Sequence, residues 1–315
     1  MNCLKDVEYA YAVAYIKILE NKMLTRTDIE ALIAAENLAS SRRILTDRGW
    51  TGDTVDELAK NELKIAWDRA YEVCDDDTPI DLLLWENDFH NLKTILKSKV
   101  AKADWTKMVL TPSAVEPQVI SDSFANGDYS ELPDFLAEVA NKAYKILTTT
   151  MDGQLMEIYV DREEQLALLK RAREEKDEFI IGWAELLVKL NNMKTAWRCQ
   201  KASKSKEFVE SALVPDESSY KRLIEADSVE SVIDVIKFEF NDADTSTLGA
   251  FERWCDNKRL SYVKGAKAEN FGFRPIMAFL IGKSFEVQAV RIILSCKENG
   301  VGEEVIRERL RDMYV

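Results

Sequence analysis

Apolar residues recur at three- and four-residue steps along most of the chain, which is the period of an amphipathic α-helix. The longest run follows the turn signal Asp152-Gly153 and continues to Trp197, with charged residues on the remaining faces. This pattern predicts one helix of about 40 residues, bent at Gly182. The alternative is two helices with a break near Asp177.

Two further helices are predicted at the C-terminal end. The first runs from Phe285 to Lys297 and the second opens at Glu303-Glu304, with Gly300 and Gly302 forming the hinge between them. Acidic residues in the first turn and arginines toward the end suit the dipole of the second helix. The apolar stripe of this helix consists of Ile306, Leu310 and Met313, and its arginines are Arg307, Arg309 and Arg311.

Composition supports a helical fold. The 315 residues include only 11 glycines and 6 prolines, so turns are scarce and an all-β sandwich or barrel is excluded. None of the six prolines lies in residues 1–78 or 134–214, which leaves both stretches free to form helices. We therefore predict an all-α protein.

Three segments about 100 residues apart resemble one another. Asn91-Leu92-Lys93, Asn192-Met193-Lys194 and Ala289-Val290-Arg291 share an anchor pattern, and the first two are each followed by a proline corner, Leu110-Thr111-Pro112 and Leu213-Val214-Pro215. A degenerate copy opens the chain near Val13-Ala14-Tyr15. Repeats of this kind predict a pseudo-threefold or solenoid-like body.

The repeats divide the chain into approximate units 1–107, 108–210 and 211–315, which together make one domain. Two interpretations of the anchor side chains remain open. Lys93, Lys194 and Arg291 either bond neighbouring helix ends or face a partner. If they are equivalent, the three units place them at the same position.

Charge and cysteine content limit the classes of partner and the cellular compartment that are expected for this protein. The net charge of −13 argues against nucleic acid and anionic membranes as partners and permits a basic protein partner. Five cysteines, an odd number without a C-x-x-C pair, are typical of free thiols in a reducing cytoplasm. No apolar run approaches the roughly 20 residues needed to cross a bilayer, so no transmembrane segment is predicted.

Two short motifs resemble ligand sites but fail on spacing. Gly282-Lys283-Ser284 ends like a phosphate-binding loop, but Met277 stands where that loop requires glycine. Asp242 to Ser246 begins like a calcium loop, but Arg253 stands where the closing glutamate is required. No cofactor or metal is expected at either motif.

Two other features are interpreted as structural rather than chemical. Asp75-Asp76-Asp77 resembles the diphosphate-binding clusters of helical isoprenoid enzymes, but it ends in Thr78-Pro79 without a second cluster, which favours a solvated loop. His90 is the single histidine and has no recognisable triad or zinc pattern around it, which favours a packing or surface role. We expect no catalytic residue.

The two ends of the sequence carry a family resemblance. The segment from Phe271 to Lys283, the following Glu286 to Leu294, and the closing Val305 to Tyr314 closely resemble the end of the C subunit of bacterial and archaeal A/V-type ATPases. The opening Tyr9 to Lys17 is similar to the family start. The same family includes the d subunit of the eukaryotic vacuolar enzyme.

The resemblance implies a fold and a role. Members are all-α, funnel-shaped bundles of three similar helical parts and are not catalytic. One end receives the central stalk, subunits D and F, and the other sits on the membrane proteolipid ring. The resemblance thus implies a cytoplasmic rotor adaptor, peripheral to the membrane, that transmits torque between ATP hydrolysis or synthesis and H⁺ or Na⁺ transport.

Two alternatives belong to other classes. An unrelated helical-repeat scaffold would share the periodicity but form an open superhelix, without adjacent N- and C-terminal helices. An all-α enzyme binding a diphosphate substrate at Asp75 to Asp77 would need two facing carboxylate clusters. Within the family interpretation, Lys93, Lys194, Arg291, Arg307, Arg309 and Arg311 are the candidate interface or repeat-anchor residues.

Overall fold

The computed structural model describes residues 3–74 and 78–315, with side chains from Tyr9 onward. Within that part of the chain all regular secondary structure is helical, which confirms the all-α prediction. The chain forms two compact units: Met1–Ile80 with Asp256–Val315, and Asp81–Cys255. Asp75-Asp76-Asp77 lies outside the described residues.

The first unit combines both ends of the chain. Its α1 packs against α14, so an N-terminal and a C-terminal helix are adjacent. The unit also holds a short 3-10 helix, Gly265–Ala268. Its α-helices are α1 (Cys3–Glu20), α2 (Arg26–Ala34), α3 (Leu38–Asp47), α4 (Val55–Tyr71), α14 (Arg274–Glu298) and α15 (Glu303–Arg309).

The second unit is continuous in sequence. Its borders fall inside a 3-10 helix, Pro79–Leu84, and inside α13 (Leu248–Lys264). Its other helices are α5 (Trp85–Ala101), α6 (Pro117–Asn126), α7 (Asp134–Thr150), α8 (Gly153–Glu175), α9 (Glu178–Lys201), α10 (Lys206–Ala212), α11 (Tyr220–Glu225) and α12 (Val229–Glu239).

Each unit has its own apolar core. In the first, α14 contributes Val290 and Ile293 to a cluster that includes Leu32 of α2 and Leu58 of α4. In the second, Met193 of α9 belongs to a separate cluster around Val232 and Phe251. Full burial of one such side chain contributes about 1.5–3 kcal/mol, so these stripes are the main force that orders the helices.

The prediction of one long helix after Gly153 was wrong, and the alternative of two helices is what the structure shows. Helix α8 ends at Glu175 because Lys176 adopts a left-handed conformation with φ 56°. Asp177 then caps α9 by accepting hydrogen bonds from the backbone N of Phe179 and Ile180 at 3.0 and 3.1 Å. Gly182 lies inside α9.

The predicted C-terminal helices are present with different bounds. Helix α14 begins eleven residues before Phe285, at Arg274. The last helix ends at Arg309, so Leu310, Arg311 and Met313 lie beyond it and not on a helical stripe. Gly300 has φ 67°, which glycine adopts without strain, and this agrees with the predicted hinge.

Buried polar side chains hold the corners that follow the long helices. Asn91 donates to the carbonyl of Leu110 at 3.0 Å and accepts from its N–H at 2.7 Å. Asn192 makes the same pair of bonds to Val214, at 2.7 and 2.9 Å. In the other unit the Glu286 carboxylate accepts from the Leu24 N–H at 2.7 Å.

Candidate functional site

A polar cleft of about 260 Å³ opens in the second unit between helices α5, α8 and α9. Its lining is almost entirely polar and carries both signs of charge. The lining residues are Glu86, His90, Lys93, Leu110, Asp161, Glu164, Gln165, Asn191, Lys194, Thr195 and Arg198. Two of the predicted anchors, Lys93 and Lys194, therefore lie on the same cleft.

Helix periodicity explains why these side chains meet. On α5 the cleft residues are Glu86, His90 and Lys93, and on α9 they include Asn191, Lys194 and Arg198. Both sets follow steps of three or four residues and therefore occupy one face of their helix. One face of α5 and one face of α9 thus line the same cleft.

Ion pairs with neighbouring helices hold two of the positively charged side chains that line the cleft. Lys93 pairs with Asp161 of α8, and the Arg198 guanidinium lies 2.6 Å from the Glu252 carboxylate on α13. One turn after Lys93 on α5, Lys97 pairs with Glu157 of α8. Exposed pairs of this kind contribute at most about 1 kcal/mol, so they orient the side chains more than they stabilise the unit.

One acceptor in the cleft has no hydrogen-bond partner among the described protein atoms. Gln165 is 9% exposed, and its Nε2 donates to the carbonyl of Asp161 at 3.1 Å. Its Oε1 is buried and accepts nothing from those atoms. A buried acceptor without a hydrogen bond costs free energy.

His90 contacts backbone and hydroxyl groups. Its Nε2 lies 3.3 Å from the Met108 carbonyl and 3.2 Å from Oγ1 of Thr94. His90 is half-buried, which agrees with the predicted packing or surface role. No cluster of three or more His, Cys, Asp or Glu side chains suited to a metal occurs within residues 9–74 and 78–315.

The remaining candidates lie in the first unit, and they contact different elements. Arg291 of α14 pairs with Asp56 of α4 at 2.7 Å, and Arg307 pairs with Glu30 of α2 at 2.5 Å. Arg309 lies 3.9 Å from the Cys296 sulfur, and Arg311 lies 3.0 Å from the Asp256 carboxylate. The structure therefore does not bring the three terminal arginines together.

Lys283, from the phosphate-loop fragment, lies inside α14 in a buried ionic cluster. Its Nζ contacts the carboxylates of Glu62 and Glu286 at 2.7 and 2.5 Å and lies 5.0 Å from the Trp50 ring centroid. Burial would lower the pKa of Lys283, but the two carboxylates outweigh it and raise that pKa. Burial raises the pKa of Glu286. The lysine is therefore engaged by protein carboxylates.

Sequence reasoning missed this cluster and a buried carboxylate on α5. Asp88 is fully buried, and its Oδ1 accepts from the Val115 N–H at 3.0 Å while Oδ2 has no partner among the described atoms. Burial raises the pKa of Asp88 to about 7. The sequence did carry a signal for both sites: Lys283 and Asp88 are charged residues at positions where the helical pattern expects an apolar one.

Comparison with known proteins decides the family. The family model described as ATP synthase (C/AC39) subunit matches residues 12–309. The chain belongs to this family. The C subunit of a V-type sodium ATPase from Enterococcus hirae is 22% identical over 337 residues, covering 98% of this chain and 99% of that protein. The C subunit of an A-type ATP synthase from Methanosarcina acetivorans is 22% identical over 344 residues, covering 96% and 92%.

The family assignment confirms the resemblance found at both ends of the sequence. It makes this chain a C-type subunit of the rotary A/V ATPases. Among the described helices, none combines the length and apolar character that crossing a membrane requires.

Proposed function

We propose that the protein is the rotor adaptor of an A/V-type ATPase. It links the central stalk, subunits D and F, to the membrane proteolipid ring and transmits torque without catalysing a reaction. The observation that carries this proposal is the full-length match: relatives named as C subunits of rotary ATPases align over nearly all of this chain and of their own length. The resulting location is cytoplasmic, at the membrane surface.

The helical architecture supports a mechanical role. A torque coupler must resist bending, and helices such as α9 and α14, of 24 and 25 residues, carry buried side chains along most of their length. Close-packed interiors deform little under load. The adjacent α1 and α14 also argue against an open superhelical scaffold.

The polar cleft is the surface we assign to the stalk. Lys93 of α5 and Lys194 of α9 both line it. Mixed charge favours a polar protein partner over an apolar ligand. In this proposal Lys93 bonds α8 through Asp161, and both lysines also face the stalk.

The experiment is co-purification with the D–F pair and with the proteolipid ring of the same organism. We expect the wild-type chain to be recovered with both, and to hydrolyse no ATP alone. Lys194→Glu should weaken stalk binding at least tenfold, because a reversed charge in a contact meets its former partner as a like charge. Lys64→Glu, on a lysine 70% exposed on α4, is the matched control and should bind normally.

Recovery of neither partner would overturn the proposed function. Normal stalk binding by Lys194→Glu, with the fold verified by circular dichroism, would leave the adaptor role standing but remove the cleft as its stalk surface. The two results are therefore distinguishable.

A further inference from the structure

The last six residues form a segment without helical structure that runs back over the first unit. We call residues 310–315, which follow the end of α15 at Arg309, the C-terminal strap. Arg311 binds Asp256 at 3.0 Å, and the Asp312 N–H donates to Oδ1 of Asn257 at 2.9 Å. The strap is thus tied to α13 before it reaches its buried residue.

Tyr314 is the one strap residue that is buried, with 3% of its surface exposed. Its hydroxyl donates to Oε1 of Glu20, the last residue of α1, at 2.6 Å, and this bond is itself buried. Burial, together with the Glu20 carboxylate, raises the pKa of Tyr314, so the phenol stays a neutral donor. Lys267 lies 4.8 Å from the ring centroid.

Gly282 of α14 forms the seat for the Tyr314 ring. A Cβ added at Gly282 would lie 2.6 and 2.8 Å from ring carbons Cδ1 and Cδ2, and closer still to Cγ. Glycine in the middle of a helix costs about 1 kcal/mol relative to alanine. The close approach of the ring is the physical reason for a glycine at this position.

We propose that the C-terminal strap is a conformational fastener that holds α1 on α14, and that its release frees α1. Helix α1 buries the apolar side chains of Ala12, Val13 and Ile16. Other polar contacts of α1 include a bond from Lys17 to Asn270 at 2.8 Å and one between the hydroxyls of Tyr9 and Thr78 at 3.0 Å. Because the strap has no helical structure and buries only Tyr314 fully, it opens at a lower free energy than the core.

This arrangement gives the first unit a device to regulate access to α1. The unit is made from the two ends of the chain, and the strap joins them by a contact between Tyr314 and Glu20, 294 residues apart. Release would expose the apolar face of α1 and the empty seat at Gly282. The inference stands independently of the proposed function.

Hydrogen–deuterium exchange on the full-length protein tests the fastener. Deleting residues 314 and 315, which leaves Leu310 and Met313 packed on the core, should raise exchange at least tenfold in residues 12–20 while α4 and α8 keep their protection. Tyr314→Phe removes only the hydroxyl and should raise exchange at the same residues about 3- to 10-fold. Tyr11→Phe, on a tyrosine 72% exposed on the same helix, is the control and should change nothing.

A glycine pair gives an independent readout. Gly282→Ala should raise exchange in α1, although alanine is the better helix former. Gly249→Ala, at a helical glycine with open space around it, should leave exchange in α1 unchanged. If Gly282→Ala does not fold, the deletion and Tyr314→Phe decide the matter.

Two outcomes overturn the inference. Unchanged exchange in residues 12–20 after the deletion would show that α1 is held without Tyr314. A uniform rise through α2, α3 and α4 would show that the tail is an integral part of the core and not a local fastener.

Discussion

Individual buried polar residues determine how the long helices meet the segments that follow them. Three such side chains accept hydrogen bonds from backbone N–H groups that lie in the core, out of reach of water: Asn91, Asn192 and Glu286. Asn91 and Asn192 were visible in the sequence because they recur with a proline corner after each. Glu286 was not singled out, because Ala289 occupies the anchor position of the third copy and the bonding group lies one turn earlier.

Asp88 gives a prediction about pH. Its pKa is about 7 in the folded protein because of burial, against 3.8 as its ordinary value, with Asp81 a lesser cause. The folded state therefore binds this proton more tightly than the unfolded state. Its contribution to the free energy of unfolding is complete below about pH 4 and is lost as pH rises through 7.

The variant Asp88→Asn keeps an oxygen for the Val115 N–H and cannot ionise. Urea unfolding at pH 5 and pH 8 should show the wild type losing more stability than the variant between these values, by about 1 kcal/mol or more. All other titrating groups are the same in the two proteins, so their contributions cancel when the pH-dependent change in unfolding free energy of the variant is subtracted from that of the wild type. Equal losses in both would contradict a raised pKa at Asp88.

At the scale of elements, most helices were predictable and their ends were less so. The three- and four-residue period determines which segments are helical, because it determines which can bury a stripe. The prediction of one helix across α8 and α9 was wrong because lysine carries no signal for a left-handed conformation, although Asp177 signals an N-cap. Of the cleft residues, the repeat pattern identified only Lys93 and Lys194. The cleft itself could not be predicted, because it depends on how α8 packs against α5 and α9, and the periodicity of a single helix does not determine that packing.

The helix break gives a prediction that separates one helix from two. Lys176→Gly places glycine where φ is 56° and should not lower the free energy of unfolding, whereas in a continuous helix it would cost about 1 kcal/mol. Asp177→Ala removes the cap of α9 and should cost about 1 kcal/mol. Urea unfolding measures both, and a destabilised Lys176→Gly would contradict the observed break.

Over the whole molecule, cations on the long helices pair with carboxylates on neighbouring helices. In the second unit, Lys93 of α5 pairs with Asp161 of α8, and Arg198 of α9 pairs with Glu252 of α13. In the first unit, Arg291 of α14 pairs with Asp56 of α4. We propose a third copy that combines α14 with N-terminal helices; the sequence boundaries 1–107, 108–210 and 211–315 remain a prediction.

The net charge of −13 gives the prediction for association with a partner. If the proposed stalk partner presents a basic end, long-range attraction accelerates the encounter, while short-range contacts determine how long the complex lasts. We expect the association rate constant with the D–F pair to fall at least several-fold between about 50 mM and 500 mM salt, because the Debye length shrinks to a few ångströms. The dissociation rate constant should change much less. Surface plasmon resonance separates the two rates, and an association rate independent of salt would show that contact geometry, and not the acidic surface, governs the encounter.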